Sequence, residues 1–321
     1  MQVEQNTQND TPFPDWIPPR PERSPFAQFG MLLVLTGAGL VLAGIVQLVI
    51  MLAGIKDLSF TNMESVMLAP KNAFIVQLSQ IAASICLFVL PAFIFTKVSG
   101  KKFSSYYQFN GKSHGRLWML TIGIALTGIL VSEGLGLINE AIPLSHHLES
   151  YFKHLEDNYA NQMSAMVQLN NPSEYLIAMF IVALLPAICE ELFFRGALQQ
   201  ILVSWTRSAF WGIVITSAVF SAIHFSYYGF LSRFFLGITL GYIFYYGRNI
   251  WLNILVHFLN NALAITFMYI QLHQQHKPLK EVMNSTSGLD FYYIVIAATI
   301  FAYLFRRFKK TCDLERTQVQ G

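Results

Sequence analysis

Long apolar blocks alternate with short polar segments along most of this chain. A transmembrane helix needs about 20 predominantly apolar residues, because the hydrocarbon core of a bilayer is about 30 Å thick. Eight blocks approach this length, and the fourth continues as an amphipathic stretch to residue 205. The predicted spans are 29–55, 73–96, 117–139, 173–190, 209–225, 230–247, 250–270 and 289–305. The pattern predicts an all-α, polytopic membrane helix bundle of about eight transmembrane helices.

Polar segments bound this hydrophobic region at both ends. Residues 1–28 are rich in proline and are expected to form a flexible tail, whereas residues 306–321 are expected to form a second tail. Residues 29–305 lie between them as a single transmembrane domain without an internal repeat. The function of the chain is therefore expected to reside in this membrane domain.

Composition supports a membrane protein and argues against other classes. The chain is 54% hydrophobic and only 12% charged, whereas a soluble domain carries about 25% charged residues. The net charge is +3, and no basic cluster with interleaved aromatic residues is present. Nucleic acid is therefore not an expected partner, whereas the lipid bilayer is. The three cysteines show no metal or redox spacing, and their odd number argues against a disulfide framework.

Loop charges predict the orientation of the bundle. The loop 97–116 holds five Lys or Arg residues, whereas the long loop 140–172 holds only Lys153. Positive residues are enriched on the cytosolic side of membrane proteins. The basic loop and both termini are therefore expected in the cytosol, in a multi-pass protein of the cell (inner or plasma) membrane. Segment 148–169 is expected to form an amphipathic helix on the outer interface.

Two carboxylates and a guanidinium end the fourth apolar block. A charge at mid-bilayer costs on the order of 2.5–3.5 kcal/mol, so such residues are expected to be paired, solvated or functional. Glu191 and Arg195 have the i, i+4 spacing of an ion pair. Glu190 points about 100° away around the helix, and Pro186 is expected to bend the helix just before it. Glu190 is therefore the carboxylate predicted to face a cavity and act as a general base.

Two later predicted helices carry imidazole and amide groups. Phe220 and His224 are four residues apart on the fifth helix, and Asn253, His257 and Asn261 share one face of the seventh. Imidazole polarises water, binds metals or donates to an oxyanion, and an amide donates to developing negative charge. A carboxylate, two imidazoles and an amide in one bundle are sufficient for hydrolysis by activated water.

Each of these features also has a structural interpretation. A single histidine in a membrane helix is often an interhelical hydrogen-bonding residue. Glu191 with Arg195 is equally well explained as an ordinary ion pair. Asn253 is better explained as an interhelical hydrogen-bonding residue than as a catalytic one. Their combination on three helices favours an intramembrane peptidase. Two alternatives stay open: a non-catalytic membrane scaffold or bacteriocin-immunity protein that binds a peptide in the same cavity, and a proton-coupled transporter.

Three motifs in this order resemble those of the CPBP family, the CAAX prenyl endopeptidases and bacteriocin-processing proteins. They are Glu-Glu-x-x-x-Arg at 190–195, Phe-x-x-x-His at 220–224 and His-x-x-x-Asn at 257–261. All three are complete and lie within the core 173–265, and the short chain resembles the bacterial members. The resemblance implies an eight-helix fold with a cavity inside the bilayer.

The resemblance also implies roles for the motif residues in an endopeptidase acting on a membrane-associated protein or peptide. It implies that Glu190 and His224 activate the hydrolytic water, and that His257 and Asn261 stabilise the oxyanion. The supporting positions of the motifs are Glu191, Arg195 and Phe220.

The need for a metal is left open by the sequence. Glu190, His224 and His257 form a possible ligand set for zinc or another divalent metal. The chain lacks the His-Glu-x-x-His helix of many zinc peptidases, and we favour a metal-independent glutamate mechanism.

The expected depths of these residues disagree. Glu190 and His224 each lie 17 residues from a turn at Arg207, whereas His257 lies only nine residues from a turn near Arg248. At 1.5 Å per residue the depths differ by roughly 12 Å. The fourth and fifth helices are therefore expected to project, tilt or break, and the cavity is expected to open to lipid and toward the cytosolic face.

Overall fold

The computed structural model describes residues 23–56, 58–59, 61–111, 113–275 and 290–320. These residues form helices and connecting loops, and no strand occurs among them. The helices in chain order are α1 (Pro25–Gly54), α2 (Met63–Met67), α3 (Pro70–Val98), α4 (Phe103–Tyr106), α5 (Gly115–Glu140), α6 (His146–Met166), α7 (Pro172–Thr206), α8 (Ala209–Ala222), α9 (Phe230–Gly247), α10 (Ile250–Gln275) and α11 (Phe291–Gln320).

The all-α, polytopic membrane fold predicted from the sequence is confirmed. Within the described ranges, six helices are long and apolar enough to cross a membrane, namely α1, α3, α5, α7, α10 and α11. The predicted fifth span is shorter than expected, because α8 has 14 residues and is only about 21 Å long. The predicted sixth span, α9, has 18 residues and is not among the six. Six of the eight expected spans thus meet the length and hydropathy of a membrane-crossing helix, and the remaining two, α8 and α9, are shorter helices.

The first span begins earlier than expected. Its helix starts at Pro25 instead of residue 29, because Ser24 accepts a hydrogen bond from the backbone N–H of Ala27 at 3.2 Å and proline suits the first helical position. Residues 1–22 of the predicted N-terminal tail lie outside the described residues.

The segment predicted as a C-terminal tail is helical in the structure. Helix α11 continues through residues 306–320, where a tail was expected after residue 305. The continuation is stabilised by burial, since Phe308 is 0% exposed and belongs to a core cluster with Leu117 of α5. Near its end, Glu315 lies 3.0 Å from Nδ1 of His114.

Hydrogen bonds tie loops together at the two ends of the bundle. At one, which we call the basic end, Asn249 donates a hydrogen bond to the carbonyl of Gly111 at 2.9 Å, joining the turn at Arg248 to the loop before α5. At the other, the α6 end, Gln168 donates to the carbonyl of Pro70 at 3.0 Å. Helix α6 confirms the helix expected in the loop 140–172.

Helix α7 carries the first motif and has a well-defined start. The Asn171 side chain accepts from the backbone N–H of Glu174 at 3.0 Å, and Glu174 accepts from the backbone N–H of Asn170 at 2.9 Å. This reciprocal pairing, with Pro172 in the first turn, stabilises a helix N-terminus.

The length of α7 resolves the disagreement in depth. Its 35 residues extend about 50 Å, which exceeds the thickness of the hydrocarbon core. A helix of this length can extend past the level of the turn at Arg248. His257 and Glu190 reach the same level, because His257 Nε2 lies 3.9 Å from Glu190 Oε2.

Two π-helical segments flank the carboxylate pair of α7. They cover Met179–Leu184 and Leu192–Gln199. A π-helical turn contains an extra residue and rotates the side chains that follow, and it is frequent at functional sites. Within the second segment, Gly196 allows close packing of the fully buried Tyr107, because a Cβ atom there would overlap the tyrosine ring.

Candidate active site

Glu191 and Arg195 form a fully buried ion pair inside the bundle. Both side chains are 0% exposed, and Arg195 Nη1 lies 3.0 Å from Glu191 Oε1. Arg195 Nη2 donates to the carbonyl of Gly237 on α9 at 3.3 Å, and the guanidinium lies 4.7 Å from the centre of the Phe220 ring on α8. The i, i+4 pairing predicted from the sequence is confirmed, and it connects α7 with α8 and α9.

Glu191 also holds His257 in a fixed orientation. His257 Nδ1 lies 2.8 Å from Glu191 Oε1, and an ionised carboxylate can only accept, so Nδ1 carries a proton, and in the neutral ring Nε2 carries a lone pair. Asn253 donates to the other carboxylate oxygen at 3.4 Å and to the carbonyl of Leu240 at 2.6 Å. Asn253 therefore has the packing role considered from the sequence, joining α10 to α7 and α9.

Glu190 faces the same interior and lacks a comparable partner. Its side chain is 14% exposed, and its Oε2 atom is buried with no hydrogen-bond partner among the described residues. Oε2 lies 3.9 Å from His257 Nε2, which is too long for a direct hydrogen bond and suits a bridging water. A buried polar atom without a partner is unusual in native proteins and marks a functional candidate.

His224 lies just beyond the end of α8 instead of on the helix as expected. The helix ends at Ala222, and Phe225 takes a left-handed φ of 50° that turns the chain away from the helix axis. His224 Nδ1 lies 2.7 Å from the carbonyl oxygen of Phe220. A carbonyl can only accept, so Nδ1 carries the proton and Nε2 is left as an acceptor.

The Phe220 ring brings the two imidazoles together. Its centroid lies 5.0 Å from that of His224 and 5.9 Å from that of His257, both in edge-on geometry. The ring is 1% exposed. Phe220 therefore supports the site by fixing both histidines against one buried aromatic face.

Asn261 lies one helical turn beyond His257, and its amide contacts α7. It donates to the carbonyl of Val182 at 3.2 Å and accepts from Asn260 at 3.1 Å. Val182 lies four residues before Pro186, which has no N–H to donate to it in an α-helix. Asn261 thus donates a hydrogen bond to a carbonyl of α7 that Pro186 leaves without its usual helical partner.

One charged residue near the site was not identified from the sequence. Arg233 lies in the first turn of α9, one helical turn before Gly237, whose carbonyl accepts from Arg195 at 3.3 Å. The available signal was an arginine inside the predicted span 230–247, which is expensive in a membrane. It was missed because Arg233 belongs to none of the three motifs.

Helix α6 covers the loop that follows His224. Ser226 donates a hydrogen bond to Glu156 at 2.8 Å, and the Tyr227 ring stacks on Phe152 with 4.6 Å between centroids. This loop lies at the α6 end of the bundle, because α8 starts at the basic end and its short helix carries the chain toward α6.

The predicted metal ligands are compared with the positions of the His, Cys, Asp and Glu side chains. Within the part of the chain that the structure describes, no three His, Cys, Asp or Glu side chains are grouped to hold a metal ion. Glu190, His224 and His257 as ligands of zinc or another divalent metal stay a prediction, and no step below is routed through a metal.

A comparison with known protein families matches residues 172–263 to the family described as Type II CAAX prenyl endopeptidase Rce1-like. The matched segment contains all three motifs and confirms the resemblance to the CPBP family. No curated protein and no solved structure gives a significant match. The apolar helices support a multi-pass membrane protein, and its segment 172–263 is similar to the CAAX-type proteases.

The contacts of the adjacent carboxylates predict different effects for Glu190→Gln and Glu191→Gln. Loss of the charge at 191 leaves the buried Arg195 without its partner, which costs about 3–5 kcal/mol for a buried pair. Loss of the charge at 190 removes no protein hydrogen bond from Oε2 and should leave the melting temperature nearly unchanged. Thermal unfolding of both purified variants in detergent tests this, and equal destabilisation would contradict the assignment.

Proposed function

We propose that this protein is an intramembrane endopeptidase that hydrolyses a peptide bond of a membrane-associated protein or peptide, with Glu190 as the general base. The observation that carries the proposal is the position of Glu190 Oε2. This atom is buried without a hydrogen-bond partner among the described residues, and it lies 3.9 Å from an imidazole nitrogen. A carboxylate in this setting is suited to hold and deprotonate a water.

His224 orients the same water in the proposed mechanism. Its Nδ1 proton is bound to the carbonyl of Phe220 at 2.7 Å, so Nε2 is available to accept a hydrogen bond from the water. The water oxygen attacks the carbonyl carbon of the scissile bond while one of its protons passes to Glu190. The product of this step is a tetrahedral oxyanion.

The contacts of His257 favour a role in proton transfer. Its Nε2 lone pair faces Glu190, and its Nδ1 is bound to Glu191 at 2.8 Å. A proton taken up by Glu190 therefore passes to His257 Nε2, where the Glu191 carboxylate stabilises the imidazolium. The leaving amine takes this proton when the C–N bond breaks, as in a triad in which a carboxylate orients the histidine.

Asn261 contributes less to the oxyanion than the family resemblance implies. One of its two amide hydrogens is bound to the carbonyl of Val182 at 3.2 Å, which leaves one for the substrate. We propose that Asn261 donates this remaining hydrogen to the scissile carbonyl while keeping α7 in register with α10.

Cleavage by the reconstituted protein tests the proposal. In liposomes, the protein should cleave a prenylated CAAX peptide or an unprenylated transmembrane peptide, with products identified by mass spectrometry. Glu190→Gln should reduce the rate about 10²–10⁴-fold, the usual contribution of a general base. Glu140→Gln is the matched control, because Glu140 is exposed at the end of α5 and should leave the rate unchanged. Peptide binding without cleavage by the wild-type protein would contradict an enzyme and favour the scaffold or immunity alternative.

The orientation of the bundle decides which side the substrate approaches from. The basic end carries the loop 97–116, so positive-inside counting places it and both termini in the cytosol. The α6 end, with the loop that follows His224, then faces outward. We propose that the substrate enters from lipid at this outer end, in the cell membrane.

Single cysteines at two exposed positions test this orientation. The three native cysteines are first removed. Ser105→Cys then places a cysteine in the loop 97–116 at the basic end, and Asp157→Cys places one on α6; both positions are exposed. A membrane-impermeant maleimide should label the α6 cysteine in intact cells and label the other only after permeabilisation. The reverse pattern would place the His224 loop on the cytosolic side and overturn the proposed entry route.

A further inference from the structure

The groups that the family resemblance assigns to the oxyanion are largely engaged by protein atoms. His257 Nδ1 is bound to Glu191 at 2.8 Å, so its Nε2 carries a lone pair and cannot donate to an oxyanion before it is protonated. Asn261 has given one amide hydrogen to the carbonyl of Val182. A single amide hydrogen remains, whereas oxyanion sites gain their effect from several preorganised donors or a positive charge.

Arg233 is a cation near the site with an unsatisfied donor. Its Nη1 atom is buried without a hydrogen-bond partner among the described residues, and no Asp or Glu among them forms a salt bridge with it. A glycine at 229 makes room for it, because a Cβ atom there would overlap the guanidinium. On its other side the guanidinium lies 5.8 Å from the centre of the Tyr159 ring on α6.

The position of Arg233 relative to the reacting groups supplies the second argument. Arg233 lies one helical turn before Gly237, whose carbonyl accepts a hydrogen bond from Arg195 at 3.3 Å inside the site. Three residues before Arg233, the carbonyl of Phe230 accepts from Ser221 at 2.7 Å, close to the end of α8 and His224. An arginine keeps its charge under all physiological conditions. An unsatisfied guanidinium in a membrane protein is costly, and such residues are usually functional.

We propose that Arg233 donates a hydrogen bond to the carbonyl oxygen of the scissile bond and stabilises the oxyanion, an inference that rests on the proposed function. Charge is balanced through the step. Before attack, the Glu190 carboxylate carries the negative charge; afterwards Glu190 holds the proton of the water, and the negative charge has moved to the substrate oxygen. The unpartnered Nη1 of Arg233 then gains an anionic acceptor, so its interaction is stronger in the transition state than in the ground state.

Kinetics of Arg233 variants test the proposal on the peptide that the wild-type protein cleaves. Arg233→Gln should lower kcat by about 10²–10³-fold, as for other oxyanion donors, and change KM little. Arg233→Lys should retain part of the rate. Arg233→Ala should recover part of its rate in millimolar guanidinium chloride, which a purely structural role would not allow. Arg207→Gln is the matched control, because Arg207 is exposed at the basic end.

An unchanged kcat in Arg233→Gln, or a loss confined to KM, would overturn the proposal and leave the endopeptidase function standing. A loss of rate without guanidinium rescue, together with a lowered melting temperature, would equally overturn it in favour of a structural role.

A binding measurement distinguishes failure of the role proposed for Arg233 from failure of the proposed endopeptidase function. A peptidyl phosphonate carries a tetrahedral anion in place of the scissile bond, and the parent peptide serves as its neutral counterpart. Wild-type protein should bind the phosphonate at least about 10²-fold more tightly than the peptide, and Arg233→Gln should lose this preference. If the wild-type protein cleaves no peptide but shows the preference, the endopeptidase function fails and the anion site at Arg233 remains. Equal preference in both proteins overturns the assignment of Arg233.

Discussion

The Glu191 carboxylate is the group to which the site is anchored. It accepts from Arg195 within α7 and from His257 and Asn253 on α10, while the Arg195 guanidinium reaches the backbone of α9 and the Phe220 ring on α8. Replacing a buried ion pair by apolar residues is often neutral for stability, whereas breaking it is costly. We infer that its main contribution is orientation: it fixes the tautomer of His257, and through it the nitrogen that faces Glu190.

The local backbone of α7 allows adjacent carboxylates to have different environments. Successive residues of an α-helix point about 100° apart, so Glu191 enters the packed core while Glu190 turns toward the imidazoles. The helix is also π-helical on both sides of the pair, and Pro186 interrupts its hydrogen bonds just before it. Asn261 of α10 donates the hydrogen bond that Pro186 of α7 cannot provide. The same neighbouring helix therefore holds both the irregular part of α7 and the site.

Local spacing predicted much of this arrangement, and long-range packing did not follow from it. The i, i+4 relations of Glu191 with Arg195 and of Phe220 with His224 were predictable, because helix geometry fixes such neighbours. The short α8 was not predicted, since its apolar run continues past Ala222 and only the backbone at Phe225 ends the helix. Burial of Phe308 against α5 extends α11 into a segment whose charges indicated a tail. Arg233 was missed because it belongs to none of the three motifs, and the packing of α9 against the site does not follow from local spacing.

The central claim is that Glu190 acts on a water shared with His224, within reach of His257. An experimental structure that resolves ordered water, combined with an anomalous-scattering map above the zinc edge, tests it most directly. The account predicts one water within about 2.6–3.2 Å of Glu190 Oε2 and His224 Nε2, the reach of a general base, with no anomalous peak. A metal peak ligated by Glu190, His224 and His257, or His224 turned away from Glu190 with no shared water, would contradict it.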